Sequence, residues 1–116
     1  MTKKLTARFR LWLEMDTQTI LGKGGAALLE DIQAIGSIHK ATEGKMSYRF
    51  AWGRIKKIEE RLGKKIVETH RGGVQGGGAH LTKEGIKLLQ FYRTLEGVLN
   101  EALQEAFSRL SNENEL

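Results

Sequence analysis

Glycine and serine punctuate residues 36–85 so closely that only short elements joined by tight turns fit there. In Gly36-Ser37-Ile38-His39-Lys40-Ala41, Ser37 is a good N-cap, because its hydroxyl can accept a first-turn N–H. Gly44, in Glu43-Gly44-Lys45-Met46-Ser47, stops that short helix, since glycine takes the left-handed conformation without steric cost. A second helix is expected from about Ser47 to Leu62, with Gly63 as its stop. In it Ala51, Ile55, Ile58 and Leu62 share one face and point to a core. Arg49, Gly53 and Lys56 point the opposite way at about 100° per residue. Lys65-Ile66-Val67-Glu68-Thr69-His70 then reads as a strand and Ala79-His80-Leu81 as its partner. The five glycines between them suit a hairpin tip. Helix, tight turn, helix and hairpin make a winged helix–turn–helix, whose second helix enters the major groove of DNA. The expected fold class is mainly α with a small β wing.

Charge supports that expectation. The chain carries a net +5, but residues 37–83 carry +7, residues 1–36 carry +1 and residues 84–116 carry −3. The positive charge therefore sits on the unit that would need to attract phosphate. With no cysteine, disulfides and thiolate metal sites are excluded. No apolar run approaches the roughly 20 residues of a membrane span, and no secretory signal opens the chain. A cytoplasmic location is the expectation. No serine–histidine–acid or paired-carboxylate arrangement stands out, so a non-enzyme without a cofactor is expected.

Upstream, residues 5–15 alternate strictly. Leu5, Ala7, Phe9, Leu11, Leu13 and Met15 share one face, which predicts a half-buried strand. Gly22-Lys23-Gly24-Gly25 reads as the end of a loop, and residues 26–35 as a short amphipathic helix stopped by Gly36. Gly22-Lys23-Gly24-Gly25-Ala26-Ala27 superficially fits a dinucleotide fingerprint. That fingerprint needs a second parallel strand, where a helix pair is expected here.

Downstream, Thr82 caps a long helix running to about Leu110, with residues 111–116 as a disordered tail. The winged unit is expected over residues 1–85 and the long helix, a dimerisation element, over 82–110. Leu88, Tyr92, Leu95, Leu99, Ala102, Leu103 and Ala106 form its apolar stripe. A domain this small cannot cover the whole stripe, so a second copy of the chain is the expected cover.

The candidate DNA contacts follow from chemistry. Arg49 can bond bidentately to guanine, Lys56 reaches guanine or phosphate, and Gly53 lets the helix approach base edges. Tyr48, at the helix start, is placed for a phosphate oxygen, whereas Trp52 is expected to pack between helices. Ser37, Lys45 and Ser47 lie beside the two helix starts and complete the helical set. In the wing, Arg71 and the backbone of Gly73, Gly76 and Gly77 are expected on phosphate or in the minor groove. His70 and His80 flank the wing. Two histidines are too few for a structural zinc site, and a wing-base pair near phosphate is expected, with no metal. His39 is expected on the exposed side of its helix.

Three stretches resemble a known family: Gly36-Ser37-Ile38, Met46-Ser47-Tyr48-Arg49-Phe50-Ala51-Trp52, and residues 72–85 from Gly72-Gly73-Val74 to Leu81-Thr82-Lys83-Glu84-Gly85. They look like the N-terminal domain of ModE-type molybdate-responsive transcriptional regulators and, more loosely, the DNA-binding domain of LysR-type regulators. The resemblance covers roughly residues 5–95. It implies a homodimer and an operator with two-fold character, with the recognition helix beginning at Ser47. Full-length regulators of this type carry a further molybdate-binding region. This chain is expected to lack that region, so the resemblance supports DNA binding more strongly than binding of molybdate or another oxyanion. The expected function is sequence-specific, dimeric transcription regulation. Its alternatives are a sequence-tolerant architectural DNA-binding protein and a winged-helix protein-interaction module.

Overall fold

The computed structural model describes residues 3–71 and 77–116. The elements in order are β1 (Leu13–Met15), β2 (Gln18–Leu21), α1 (Lys23–Ile35), α2 (Ile38–Thr42), α3 (Tyr48–Leu62), β3 (Val67–His70), β4 (Gly78–Leu81) and α4 (Lys83–Glu113). The two pairs β1–β2 and β3–β4 are antiparallel hairpins, giving a mainly α winged helix–turn–helix.

The caps explain the boundaries. Ser47 Oγ accepts from Phe50 N at 3.0 Å, Ser37 Oγ from Lys40 N at 3.2 Å, and Thr82 Oγ1 from Gly85 N at 3.0 Å. Each hydroxyl satisfies one of the helix-start amides left without a backbone partner. Gly36, Gly44 and Gly63 all have positive φ, so a β-carbon at these turns is disfavoured.

Three expectations upstream need correction. Residues 3–12 form neither helix nor strand, and the first strand is only Leu13–Met15. Alternation persists as burial: Ala7, Phe9, Leu11 and Leu13 are half-buried while Thr6, Arg8, Arg10 and Trp12 are exposed. The segment lies against α4, where Gln104 Nε2 donates to Ala7 O at 3.1 Å and the Tyr92 hydroxyl to Leu11 O at 2.9 Å. The second correction is the β1–β2 hairpin, whose turn at Asp16 and Thr17 has positive φ at both residues. The third is α1, which starts at Lys23 and takes Gly24 and Gly25 into its first turn. A β-carbon on Gly25 would lie 3.0 Å from Leu21 Cδ1, so this glycine permits close packing of helix on strand. That packing role replaces the loop.

The core joins all the elements. Leu28, Leu29 and Ile32 of α1, Ile38 and Ala41 of α2, Ala51, Ile55 and Ile58 of α3, and Val67, Ala79 and Leu81 of the wing hairpin form one buried cluster. Polar ties set the wing. Glu59 Oε2 accepts from Ile66 N at 2.9 Å and Val67 N at 3.3 Å, Gln33 Oε1 from Leu81 N at 3.1 Å, and Gly36 O from Ala79 N at 2.9 Å. Arg93 fastens α4 to α1 by bonding Glu30 and also reaches Glu96. Its hydrogen bond holds the Glu30 carboxyl below the usual carboxylate range, and its own guanidinium is driven further above its ordinary value.

α4 spans 31 residues, about 46 Å at 1.5 Å per residue. It extends past the body, and the radius of gyration is 18.1 Å, against about 13 Å for a compact chain of this size. Residues 111–113 are helical, beyond the expected end near Leu110. The stripe on α4 also needs correction. Tyr92 is 0% exposed and belongs to the core of its own protomer, and Leu88 packs against the same core. Burial shifts the Tyr92 hydroxyl upward. Leu103 and Ala106 are half-buried. The large apolar side chains left outside are Phe91, 61% exposed, Val98, 58% exposed, and Leu99 and Leu110. Phe91, Leu95, Val98 and Ala102 follow 4-3-4 spacing on a face about a quarter turn from Tyr92. The uncovered seam is therefore rotated from the expected one, with Phe91 and Val98 at its centre.

Candidate nucleic-acid interface

The packing of α3 determines what faces outward. With Ala51, Ile55 and Ile58 in the core, Arg49, Gly53 and Lys56 are brought together on the exposed side. Nothing lies within 4 Å of a β-carbon built on Gly53, so that side of the helix is open at its middle. Among the described residues, Arg49 makes no ion pair or side-chain hydrogen bond, which leaves its guanidinium available to an incoming acceptor. Lys56 lies 5.1 Å from the Trp52 ring centroid and 3.7 Å from Glu59 Oε1, within reach of the same side.

The other expected contacts separate into several groups. Ser37 and Ser47 each accept one helix-start N–H through Oγ, which leaves the O–H donor of each for a phosphate oxygen. Lys45 is paired with Asp31 of α1 at 2.7 Å, a tie between the turn and the body. Tyr48 is 46% exposed and stands between His39 and Trp52, with ring centroids 5.7 and 6.3 Å away. Trp52 is half-buried against the core. Arg71 and Gly77 are exposed at the hairpin, while Gly73 and Gly76 lie outside the described residues.

Between α2, the start of α3 and the β3–β4 hairpin lies an open cleft of about 520 Å³. His39, Tyr48 and Trp52 line it from the helices, and His70, Arg71 and Gly78 from the hairpin. The His70 and His80 rings are 5.5 Å apart across the hairpin, so the two do form a pair at the wing base. Among the described residues no cluster of three metal-ligating side chains exists.

Two features were not read from the sequence. His39 joins the cleft although it is far from His70 in the chain, and no local pattern announces that meeting. The other flank of α3 carries Phe50, 55% exposed, with the Arg54 guanidinium 5.8 Å from its ring centroid, followed by Lys57 and Arg61. Arg61 is held by Thr19 O at 2.6 Å. The 3-and-4 spacing of Arg54, Lys57 and Arg61 was the available signal for this basic row.

No protein-family model matches the chain. Its sequence is 35% identical over 103 residues to the molybdenum transport protein ModE of Azotobacter vinelandii, covering 88% of this chain and 38% of that protein. It is 32% identical over 113 residues to the DNA-binding transcriptional dual regulator ModE of Escherichia coli K12, covering 97% of this chain and 42% of that one. The chain thus spans about two fifths of the length of the curated relatives it matches. Among solved structures it is similar to ArgP from Mycobacterium tuberculosis, with a TM-score of 0.52 and 26% identity, covering 72% of this chain and 30% of that one. Among the described residues no helix is long and apolar enough to cross a membrane.

Proposed function

We propose that this chain, whose winged helix–turn–helix is of the ModE type, is a sequence-specific DNA-binding transcriptional regulator that acts as a homodimer. The observation that carries the proposal is the outward row Arg49, Gly53 and Lys56, standing beside a cleft walled by the wing hairpin. A helix inserted into the major groove offers this row to base edges. Arg49 supplies a bidentate donor pair for guanine, and Gly53 admits the base edge closely. Arg71 and the exposed hairpin bond phosphates, which fixes register without reading sequence. The seam of Phe91, Val98 and Leu99 supports pairing of two α4 helices about a two-fold axis. Two recognition helices about 34 Å apart would then occupy successive major grooves. Occupancy of such a site blocks or recruits polymerase.

Arg49→Ala is expected to weaken binding to a preferred site by about 1–3 kcal/mol and to relax the preference at one base position. Gel-shift titration over a set of single-base site variants measures both. Unchanged affinity and unchanged preference would mean that α3 is not the reader.

Arg71→Ala is expected to weaken binding to every sequence alike and to reduce the slope of log affinity against log salt by about one. Salt titrations on two unrelated duplexes measure this. A wild-type slope in the variant would place the wing off the DNA.

A further inference from the structure

We propose that the cleft between α2, α3 and the β3–β4 hairpin seats the phosphate backbone of one DNA strand against His39 and His70, so that DNA binding takes up protons. The proposal rests on the DNA-binding function given above and adds to it two contact residues and a linkage. Both imidazoles line the cleft, one on each wall. Among the described residues, the other ionic group lining it is the Arg71 guanidinium, and no carboxylate does so. A groove with two imidazoles, a guanidinium and the Tyr48 hydroxyl offers donors to an anion. It also adjoins the start of the recognition helix, where phosphate contacts would set register.

The surroundings of each imidazole are defined. His39 has the Tyr48 ring 5.7 Å away on α3. His70 has Arg71 next in the chain, Glu68 two residues back on the same face of β3, and the His80 ring 5.5 Å away on β4. Its ring is also held over the backbone of Gly78, where a built β-carbon would lie 2.6 Å from His70 Nε2. His80 differs, because its Nε2 lies 3.4 Å from Glu68 Oε2, on the same hairpin and outside the cleft lining. The chain has three histidines, so this divides them into two that face the cleft and one that faces a carboxylate.

Imidazole changes charge between about pH 5 and 8. A phosphate in contact favours the protonated form and raises its pKa in the complex. A raised pKa in the bound state makes binding tighter at low pH, and the gain is lost as pH rises through that value. For an ordinary imidazole, a contact that raises the pKa by about one unit tightens binding about sixfold at pH 6 relative to pH 8. The pair gives roughly thirtyfold.

The test is fluorescence anisotropy with a labelled 30-base-pair random-sequence duplex and the full chain, from pH 6 to pH 8 at fixed salt. Phosphate contacts do not depend on sequence, so this probe reports them. The wild type is expected to bind roughly thirtyfold tighter at pH 6. In the double variant His39→Gln/His70→Gln the pH 6 to pH 8 ratio should fall below about twofold, and His80→Gln should keep the wild-type ratio. His39→Lys/His70→Lys supplies charges that do not titrate in this range. It should bind at pH 8 about as tightly as the wild type does at pH 6, which lost packing could not produce. Wild-type binding that is flat with pH would overturn the proton linkage while leaving DNA binding intact. A full pH ratio retained by the glutamine pair, or lost in His80→Gln, would overturn the assignment. No binding at any pH would instead sink the DNA-binding function itself.

Discussion

Gly85→Ala is expected to destabilise the domain by more than about 3 kcal/mol, although alanine is the better helix former by about 1 kcal/mol. A β-carbon at Gly85 would lie 2.2 Å from the carbonyl oxygen of Ile66 and 3.1 Å from its carbonyl carbon. These are backbone atoms, so no rotamer change relieves the overlap. The strand cannot retreat cheaply either. The Ile66 carbonyl accepts from Thr82 N at 2.9 Å, the Lys65 carbonyl accepts from Thr82 Oγ1 at 2.7 Å, and the Glu59 carboxylate holds the amides of Ile66 and Val67. Separating α4 from β3 would break this knot where the wing meets the long helix. Domains of this size are stable by about 5–15 kcal/mol, so the loss is a large fraction of the total. Urea melts with equal m-values measure it. An alanine variant as stable as the wild type would show that α4 does not pack on β3 at this distance.

Val98→Glu is expected to convert dimers to monomers and to lower affinity for a two-half site by at least about a hundredfold. Val98 is 58% exposed in the protomer, so a glutamate there disturbs little while the chain is alone. In a two-fold seam it would bury two carboxylates beside each other and beside the apolar ring of Phe91, which costs several kcal/mol. Leu99→Glu on the edge of the seam should act in the same direction. Helical circular dichroism and melting of the monomer should persist, because Tyr92 and the core cluster are untouched. Light scattering decides the matter. A wild-type protein that is monomeric at tens of micromolar, or a Val98→Glu protein that remains dimeric, would remove the seam from the account.

The elements that carry their own start and stop chemistry were legible from sequence. Ser37, Ser47 and Thr82 cap helices, Gly36 and Gly63 end them, and the 3.6-residue period of α3 placed Arg49 and Lys56 outside. The β1–β2 hairpin was not legible, because Asp16-Thr17 lacks the glycine that usually marks a turn with two positive φ angles. The alternation gave the burial pattern correctly over residues 7–13, whereas Leu5 and Met15 at its ends are exposed, and it could not reveal the partner. The odd-numbered side chains of residues 7–13 are half-buried, and the segment bonds α4 where a ladder was expected. Helical period likewise showed that α4 is apolar on a broad arc without dividing it. The hydroxyl bond from Tyr92 to Leu11 assigns one side of that arc to the protomer and leaves Phe91 and Val98 on the other. The cleft joining His39 to His70 depends on how α2 packs near the hairpin, which local sequence does not encode.

The central claim is that the outward row of α3 reads sequence while the rest of the surface only positions it. Selection of preferred sites from a random duplex pool, followed by competition against random duplex at physiological salt, tests it directly. The account predicts an enriched site with two related halves about one helical turn apart, bound at least about a thousandfold tighter than random duplex. Binding of comparable strength to both, with no enriched sequence, would contradict it and identify an architectural DNA-binding protein instead.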